Sequence, residues 1–124
     1  MKTLVYAIIK KNGTLLILKR PSDKKSYPNY WNLPGGKLEE KELDIDCVKR
    51  EVMEETNMNF SPFLKVMDTI DYDGEEKRII VFLGDAEGDF KLNHEHSEST
   101  WITPNEIKKK NVMPYITRLF HGVI

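Results

Sequence analysis

A chain of 124 residues with 40% hydrophobic and 31% charged positions has the balance of a folded globular unit, which excludes a disordered tail. Its 19 Lys and Arg against 20 Asp and Glu give a net charge of −1, without the basic excess of a nucleic-acid binder; a small anionic substrate met by local charge stays open. Cys47 is the sole cysteine, so an intrachain disulfide and a thiolate zinc site are excluded, and the residue reads as a buried apolar thiol.

In chain order, Leu4 to Ile9 and Leu15 to Leu18 are short apolar runs joined by Lys10-Lys11-Asn12-Gly13, a strong hairpin signal. Residues 20–30 carry Pro21, Ser22, Asp23, Pro28 and Asn29 and read as a loop. Trp31 to Pro34 is a brief extended piece, followed by Gly35-Gly36, where the backbone can approach another group closely. Leu43 to Thr56 holds no Gly or Pro and suits a helix. Phe63 to Tyr72 and Arg78 to Leu83 form a second antiparallel pair across Asp73-Gly74, and Gly84 to Ser99 reads mostly as loop. Thr100 to Ile102 is a short strand; Thr103-Pro104 with Glu106 is a helix start, and Pro114 to Phe120 has apolar residues at helical spacing. This order predicts one mixed α+β domain over 1–124, with helices on a largely antiparallel or mixed sheet. The apolar run at the N-terminus is too short for a secretory leader, and no stretch reaches the ~20 apolar residues of a membrane span, so a cytoplasmic protein without a membrane partner is expected.

The helix is unusual in where it puts its acids. Cys47, Val48 and Val52 define an apolar stripe, and continuing it by single turns places Glu51 and Glu55 on the side of Cys47, with Glu54 alongside. Like charges one turn apart repel, and burying an ion is costly unless it is paired. A hard divalent cation with oxygen ligands relieves both; a solvated acidic face partnered by Lys49 and Arg50 is the plainer alternative. Residues 36–58 hold eight acids (Glu39, Glu40, Glu42, Asp44, Asp46, Glu51, Glu54, Glu55) against four bases (Lys37, Lys41, Lys49, Arg50). A carboxylate cluster beside an accessible glycine backbone suits a metal that bridges protein and phosphate.

Those residues read Gly36, five positions, Glu42, seven positions, then Arg50-Glu51-Val52-Met53-Glu54-Glu55-Thr56-Asn57-Met58. The pattern resembles the Nudix box, G-x5-E-x7-R-E-U-x-E-E-x-G-U with U aliphatic, at every defined position except Asn57, where the family has glycine. Asparagine is the residue that best replaces glycine in a left-handed helix cap. Leu43 stands where relatives often carry a Ser or Thr cap. Leu33-Pro34-Gly35-Gly36-Lys37 resembles the usual lead-in, and Lys19-Arg20 and Trp101 to Ile107 resemble MutT-like relatives.

The resemblance implies a Nudix-type α/β/α sandwich, a mixed sheet with helices on both faces. It also implies hydrolysis of a nucleoside diphosphate derivative with Mg²⁺, or Mn²⁺ as a substitute. Glu51, Glu54, Glu55 and the Gly35 carbonyl are the implied metal ligands, Arg50 orients the glutamates, and Gly36, Glu42 and Asn57 hold the motif. The general base matches Glu51 or Glu54, or else Glu95, six residues before Trp101. The plain reading of His94-Glu95-His96 is a polar surface loop whose histidines are solvated. Arg20, Asp23, Gly36, Lys37, Tyr72 and Asn111 are the substrate-binding candidates, although Val112 and not Asn111 aligns with the base-reading asparagine of MutT-like enzymes. Trp31, Tyr72 and Phe82 stack on a base or, more simply, fill the core. Lys108-Lys109-Lys110 reads as a solvated helix end. The reading favoured is a MutT-like (deoxy)nucleoside triphosphate pyrophosphohydrolase that releases nucleoside monophosphate and pyrophosphate. Its rivals are an ADP-ribose pyrophosphatase, a dinucleoside polyphosphate hydrolase (for which Tyr72 speaks weakly) and a non-catalytic nucleotide-binding regulator. The partner expected is a small nucleotide and no nucleic-acid polymer, with monomer and homodimer both open.

Overall fold

The structure is a computed structural model that describes residues 1–122, with Tyr72 and residues 121–122 described through their backbone alone. Strands β1 (Lys2–Lys11) and β2 (Thr14–Lys19) form the first hairpin, with Lys11 opposite Thr14. Its two turn residues have positive φ, 50° at Asn12 and 76° at Gly13, the combination that matches the twist of the flanking strands.

Next come β3 (Trp31–Asn32), β4 (Gly35–Lys37) and helix α1 (Asp44–Thr56). Strands β5 (Asn59–Tyr72) and β6 (Glu75–Glu87) pair antiparallel from Asn59 opposite Glu87 to Tyr72 opposite Glu75. Both run well past the apolar runs that announced them. Backbone pairing carries the polar ends, and a register shift between Pro62 and Leu64 accommodates a proline that has no N–H to give. Part of the stretch expected as loop, Gly84 to Glu87, is therefore strand. Strand β7 (Glu98–Ile102) and helices α2 (Pro104–Ile107) and α3 (Pro114–Gly122) complete the chain. Thr103 and Glu106 form the reciprocal cap of α2.

The strands join in one seven-stranded mixed sheet, ordered β3-β2-β1-β6-β5, with β4 on β1 and β7 on β2. The parallel member is β1 beside β6, from Lys2 opposite Lys77 to Ile9 opposite Gly84. Alternation along the central strands sends side chains to two cores. Val5, Ala7, Ile9, Leu16, Leu18, Ile80 and Phe82 pack with Cys47, Val48 and Val52 of α1. Tyr6, Ile8, Leu15, Ile17, Ile79 and Val81 pack with Ile107, Tyr115, Ile116 and Phe120 of α2 and α3. Helices therefore cover both faces, and each buried Val, Leu or Ile adds roughly 1.5–3 kcal/mol.

Candidate active site

Strand β4 is held against β1, with Val5 opposite Gly36 and Tyr6 opposite Gly35. The approach leaves no room for a side chain: a Cβ on Gly35 would lie 2.2 Å from the Val5 carbonyl oxygen, and one on Gly36 would lie 2.7 Å from the Glu51 carboxyl. Gly35 also sits at φ +153°. This tight stacking brings the backbone ahead of α1 onto the helix face that carries Glu51 and Glu55.

Glu55 is 3% exposed, and its Oε1 accepts a 2.7 Å hydrogen bond from the Gly35 N–H. Burial pushes its pKa up to about 9, against the pull of that hydrogen bond, and Glu51, Glu95 and Glu54 push the same way. Glu51 is raised as well, by burial first, with Arg50 opposing. Arg50 sets the geometry on the other side. Its Nε and Nη2 grip Glu42 at 2.8 and 3.1 Å, while Nη1 reaches Glu51 at 2.9 Å and Glu54 at 3.3 Å. That fork holds the Glu42 carboxyl down at about 2. Among the described residues no three carboxylates, imidazoles or thiols converge closely enough to hold a metal ion; Glu51 and Glu54 are instead paired with Arg50. The helix ends at Asn57, left-handed at φ 62° and ψ 21°, with its N–H on the Met53 carbonyl. Leu43 offers no side-chain cap at the other end, where Glu42 accepts from the Glu39 N–H instead.

Residues 88–97 are pinned onto this helix and onto β2 by backbone bonds. The Lys91 N–H donates to the Thr56 carbonyl, Asn93 N–H to that of Glu55 and Ser97 N–H to that of Lys19. The Asn57 side chain donates to the Asp89 carbonyl. The loop thereby delivers Glu95 and His96 to Glu55. The expectation of solvated histidines is corrected for His96, whose side chain is 8% exposed with Nε2 3.8 Å from Glu55 Oε2. Burial, with Arg20 and Lys24 nearby, lowers its pKa to about 4 and keeps it neutral.

A cavity of about 160 Å³ opens between these groups, lined by Tyr6, Arg20, Lys24, Asn32, Gly35, Gly36, Glu55, Glu95 and His96. Carboxylates and cations thus face one space. Arg20 Nε and His96 Nδ1 are both buried without a hydrogen-bond partner. Tyr6, Lys24 and Asn32 were not foreseen as site residues. Asn32, 8% exposed in a two-residue strand, carried no local signal apart from being polar beside Leu33 and Pro34.

The remaining candidates lie elsewhere. Asp23 is exposed in the loop 20–30, and Lys37 is exposed with its carbonyl facing Cys47 Sγ at 3.6 Å. The Asn111 carbonyl accepts from the Trp31 N–H, beside the Trp31–Val112 bridge. None of these three is among the described residues that line the cavity. The Tyr72 side chain falls outside the described residues. Phe82 is buried in the α1 core, and Trp31 is half-buried with the Lys19 and Lys110 ammonium groups 5.7 and 5.2 Å from its ring. Lys110 is therefore not simply a solvated helix end.

A sheet sheathed by helices on both faces thus carries, at its short glycine strand, the glutamates of one helix against a bare backbone. The NUDIX domain family model matches residues 1–120, and the chain belongs to that family as a Nudix hydrolase. Enzymes of this family generally use divalent metal ions and act on small nucleotides. The chain is 28% identical over 119 residues to the nucleoside triphosphatase NudI of Escherichia coli O81 (strain ED1a), which spans 86% of this chain and 84% of that one. It superimposes on the MutT protein of Methanosarcina mazei Go1 with TM-score 0.82 and 31% identity, covering 96% of this chain and 88% of that one. The E. coli ORF135 protein shares the fold at TM-score 0.86 and 24% identity, covering 98% and 87%.

Proposed function

We propose that this chain, folded as a single domain, is a Mg²⁺-dependent pyrophosphohydrolase of nucleoside triphosphates, with Mn²⁺ as a substitute cation, releasing nucleoside monophosphate and pyrophosphate. The observation that carries the reading is the buried Glu55 carboxylate. It sits on the Gly35 N–H beside Glu51 and Glu95, in a cavity whose other wall carries Arg20 and Lys24. The name of the relative NudI, a nucleoside triphosphatase, supports a triphosphate substrate.

The donor set is all oxygen and rich in charge, which fits a hard divalent cation. Glu51, Glu54, Glu55 and the Gly35 carbonyl would hold it. A bound cation neutralises phosphate charge and lowers the pKa of water. Arg50, gripping Glu42 through Nε and Nη2 and reaching Glu51 and Glu54 through Nη1, would orient those glutamates. Arg20 and Lys24 draw in the polyphosphate. Glu95, exposed at the cavity rim, takes the proton of the attacking water. The water oxygen bonds to phosphorus as the bond to the bridging oxygen breaks, and pyrophosphate leaves.

The test is a product assay with Mg²⁺ on nucleoside triphosphates, ADP-ribose and dinucleoside polyphosphates. Monophosphate and pyrophosphate from triphosphates are expected. Turnover of ADP-ribose or dinucleoside polyphosphates alone would overturn the substrate, and silence on the whole panel would overturn the activity. Glu54→Gln and Glu55→Gln should each cut kcat/KM by roughly 100-fold or more and weaken Mg²⁺ binding. Normal hydrolysis by either variant would remove that residue from the metal site.

A further inference from the structure

The loop of residues 20–30 brings Arg20 and Lys24 to the cavity, and the fold holds that loop at two places. Its base is closed by the sheet, where Lys19 pairs with Trp31 and the Arg20 N–H donates to the Tyr30 carbonyl at 2.8 Å. Its far side reaches another hairpin: the Tyr27 hydroxyl donates to Asp73 Oδ1 at 2.7 Å. Asp73 and Gly74 form the two-residue turn between β5 and β6, with φ 56° and 83°, and the Gly74 N–H donates to Asp71 Oδ1 at 2.9 Å. Positive φ at both positions matches the twist of the flanking strands, so the acceptor is presented by a firm support. Tyr27 itself is strained. Its φ is 51°, in the left-handed region, which a bulky aromatic residue keeps only when its surroundings hold it there. Its ring meets that of Tyr30 edge to face at 5.2 Å, and both pack against the α2–α3 core.

The residue before this strained one bears on the cavity. The Ser26 carbonyl accepts from Arg20 Nη2 at 3.0 Å. A guanidinium is planar and rigid, so holding Nη2 also directs Nε, which lies buried without a partner in a side chain that lines the cavity. A line of contacts therefore runs from Asp73 through Tyr27 and Ser26 to Arg20. We infer that Tyr27 and Asp73 are positioning residues: their hydrogen bond latches the loop so that Arg20 faces the polyphosphate, and the β5–β6 turn thereby sets the affinity for that substrate. Neither is among the described residues that line the cavity, so each acts through Arg20.

The inference rests on the proposed reaction for the role of Arg20, so one of its two readouts needs no turnover. These are KM for a nucleoside triphosphate with Mg²⁺, and calorimetric binding of inorganic pyrophosphate with Mg²⁺. Tyr27→Phe keeps the ring and removes the hydroxyl. It should raise KM and weaken pyrophosphate binding by roughly three- to tenfold, with kcat within about twofold. Asp73→Gly adopts φ 56° freely but offers no carboxylate, and should match Tyr27→Phe. Asp73→Asn keeps an acceptor and tolerates that conformation, and should stay close to wild type. In an Arg20→Ala background Tyr27→Phe should add nothing. A role confined to stability would leave KM where it was and show in the melting curve alone. That pattern would overturn the inference, as would a Tyr27→Phe effect of the same size with and without Arg20. Weakened pyrophosphate binding in both latch variants, without triphosphate hydrolysis by the wild type, would sink the proposed reaction and leave the latch standing. Hydrolysis with an unchanged KM in both would do the reverse. Should Tyr27→Phe fail to fold, Asp73→Gly decides.

Discussion

Glu42 and Arg50 show how much of this site is a matter of single side chains. Glu42 is held at about 2 against an ordinary 4.5, chiefly by the Arg50 hydrogen bonds. A carboxyl whose pKa is lower in the folded state contributes stability that is present above about 4.5 and lost as the pH falls towards about 2. Glu42→Gln should therefore lose roughly 1–3 kcal/mol at neutral pH, and that difference should shrink as the pH drops through this window. Denaturant melts of both proteins at pH 7, 4 and 2.5 measure it; a gap that does not change with pH would refute the ion pair as its source. Gly35 is the other decisive residue. Any side chain there meets the Val5 carbonyl and Tyr6, so Gly35→Ala should separate β4 from β1 and displace the N–H that holds Glu55.

Helix α1 was the most legible element. A stripe made by Cys47, Val48 and Val52 and a run free of Gly and Pro are local properties, and the observed helix starts one residue later than the sequence suggested. Asn57 closes it in the left-handed conformation and its side chain ties down the Asp89 carbonyl. Asn57→Ala should cost about 1–2 kcal/mol, whereas Asn57→Gly should keep the cap within a few tenths. Chemical denaturation compares the two, and an alanine variant as stable as glycine would contradict the strain. Amide exchange should also quicken at Lys91 and Asn93 in the alanine variant, because the loop loses a tether. That loop was the least legible element. Its path depends on bonds to Thr56, Glu55 and Lys19, residues far away in sequence, and nothing in His94-Glu95-His96 announces them.

At the scale of the molecule the two cores divide the labour. The α1 face carries the glutamates, and the face covered by α2 and α3 carries Tyr115 behind Asn32. Ile107, fully buried on the second face, should cost about 2–5 kcal/mol as Ile107→Ala. The Mg²⁺ affinity of the folded variant should stay at the wild-type value; a parallel loss of metal binding, read by titration calorimetry, would show that the faces are coupled. Among the described residues no helix is long and apolar enough to cross a membrane.

The sequence by itself determined the carboxylate spacing from Gly36 to Met58, the Asn12-Gly13 hairpin, the Thr103 cap and the family. Each of these depends on neighbours within a few turns of chain, where geometry follows from residue type. Only the tertiary structure decided that β1 lies parallel to β6, how far β5 and β6 extend, and that Tyr6, Arg20, Lys24, Asn32 and His96 share one cavity with Glu55. Those residues come from different strands and loops, and packing of the sheet between its two helical layers brings them together. For the same reason Asp23, Lys37 and Asn111, plausible by position in the chain, end up away from the cavity wall.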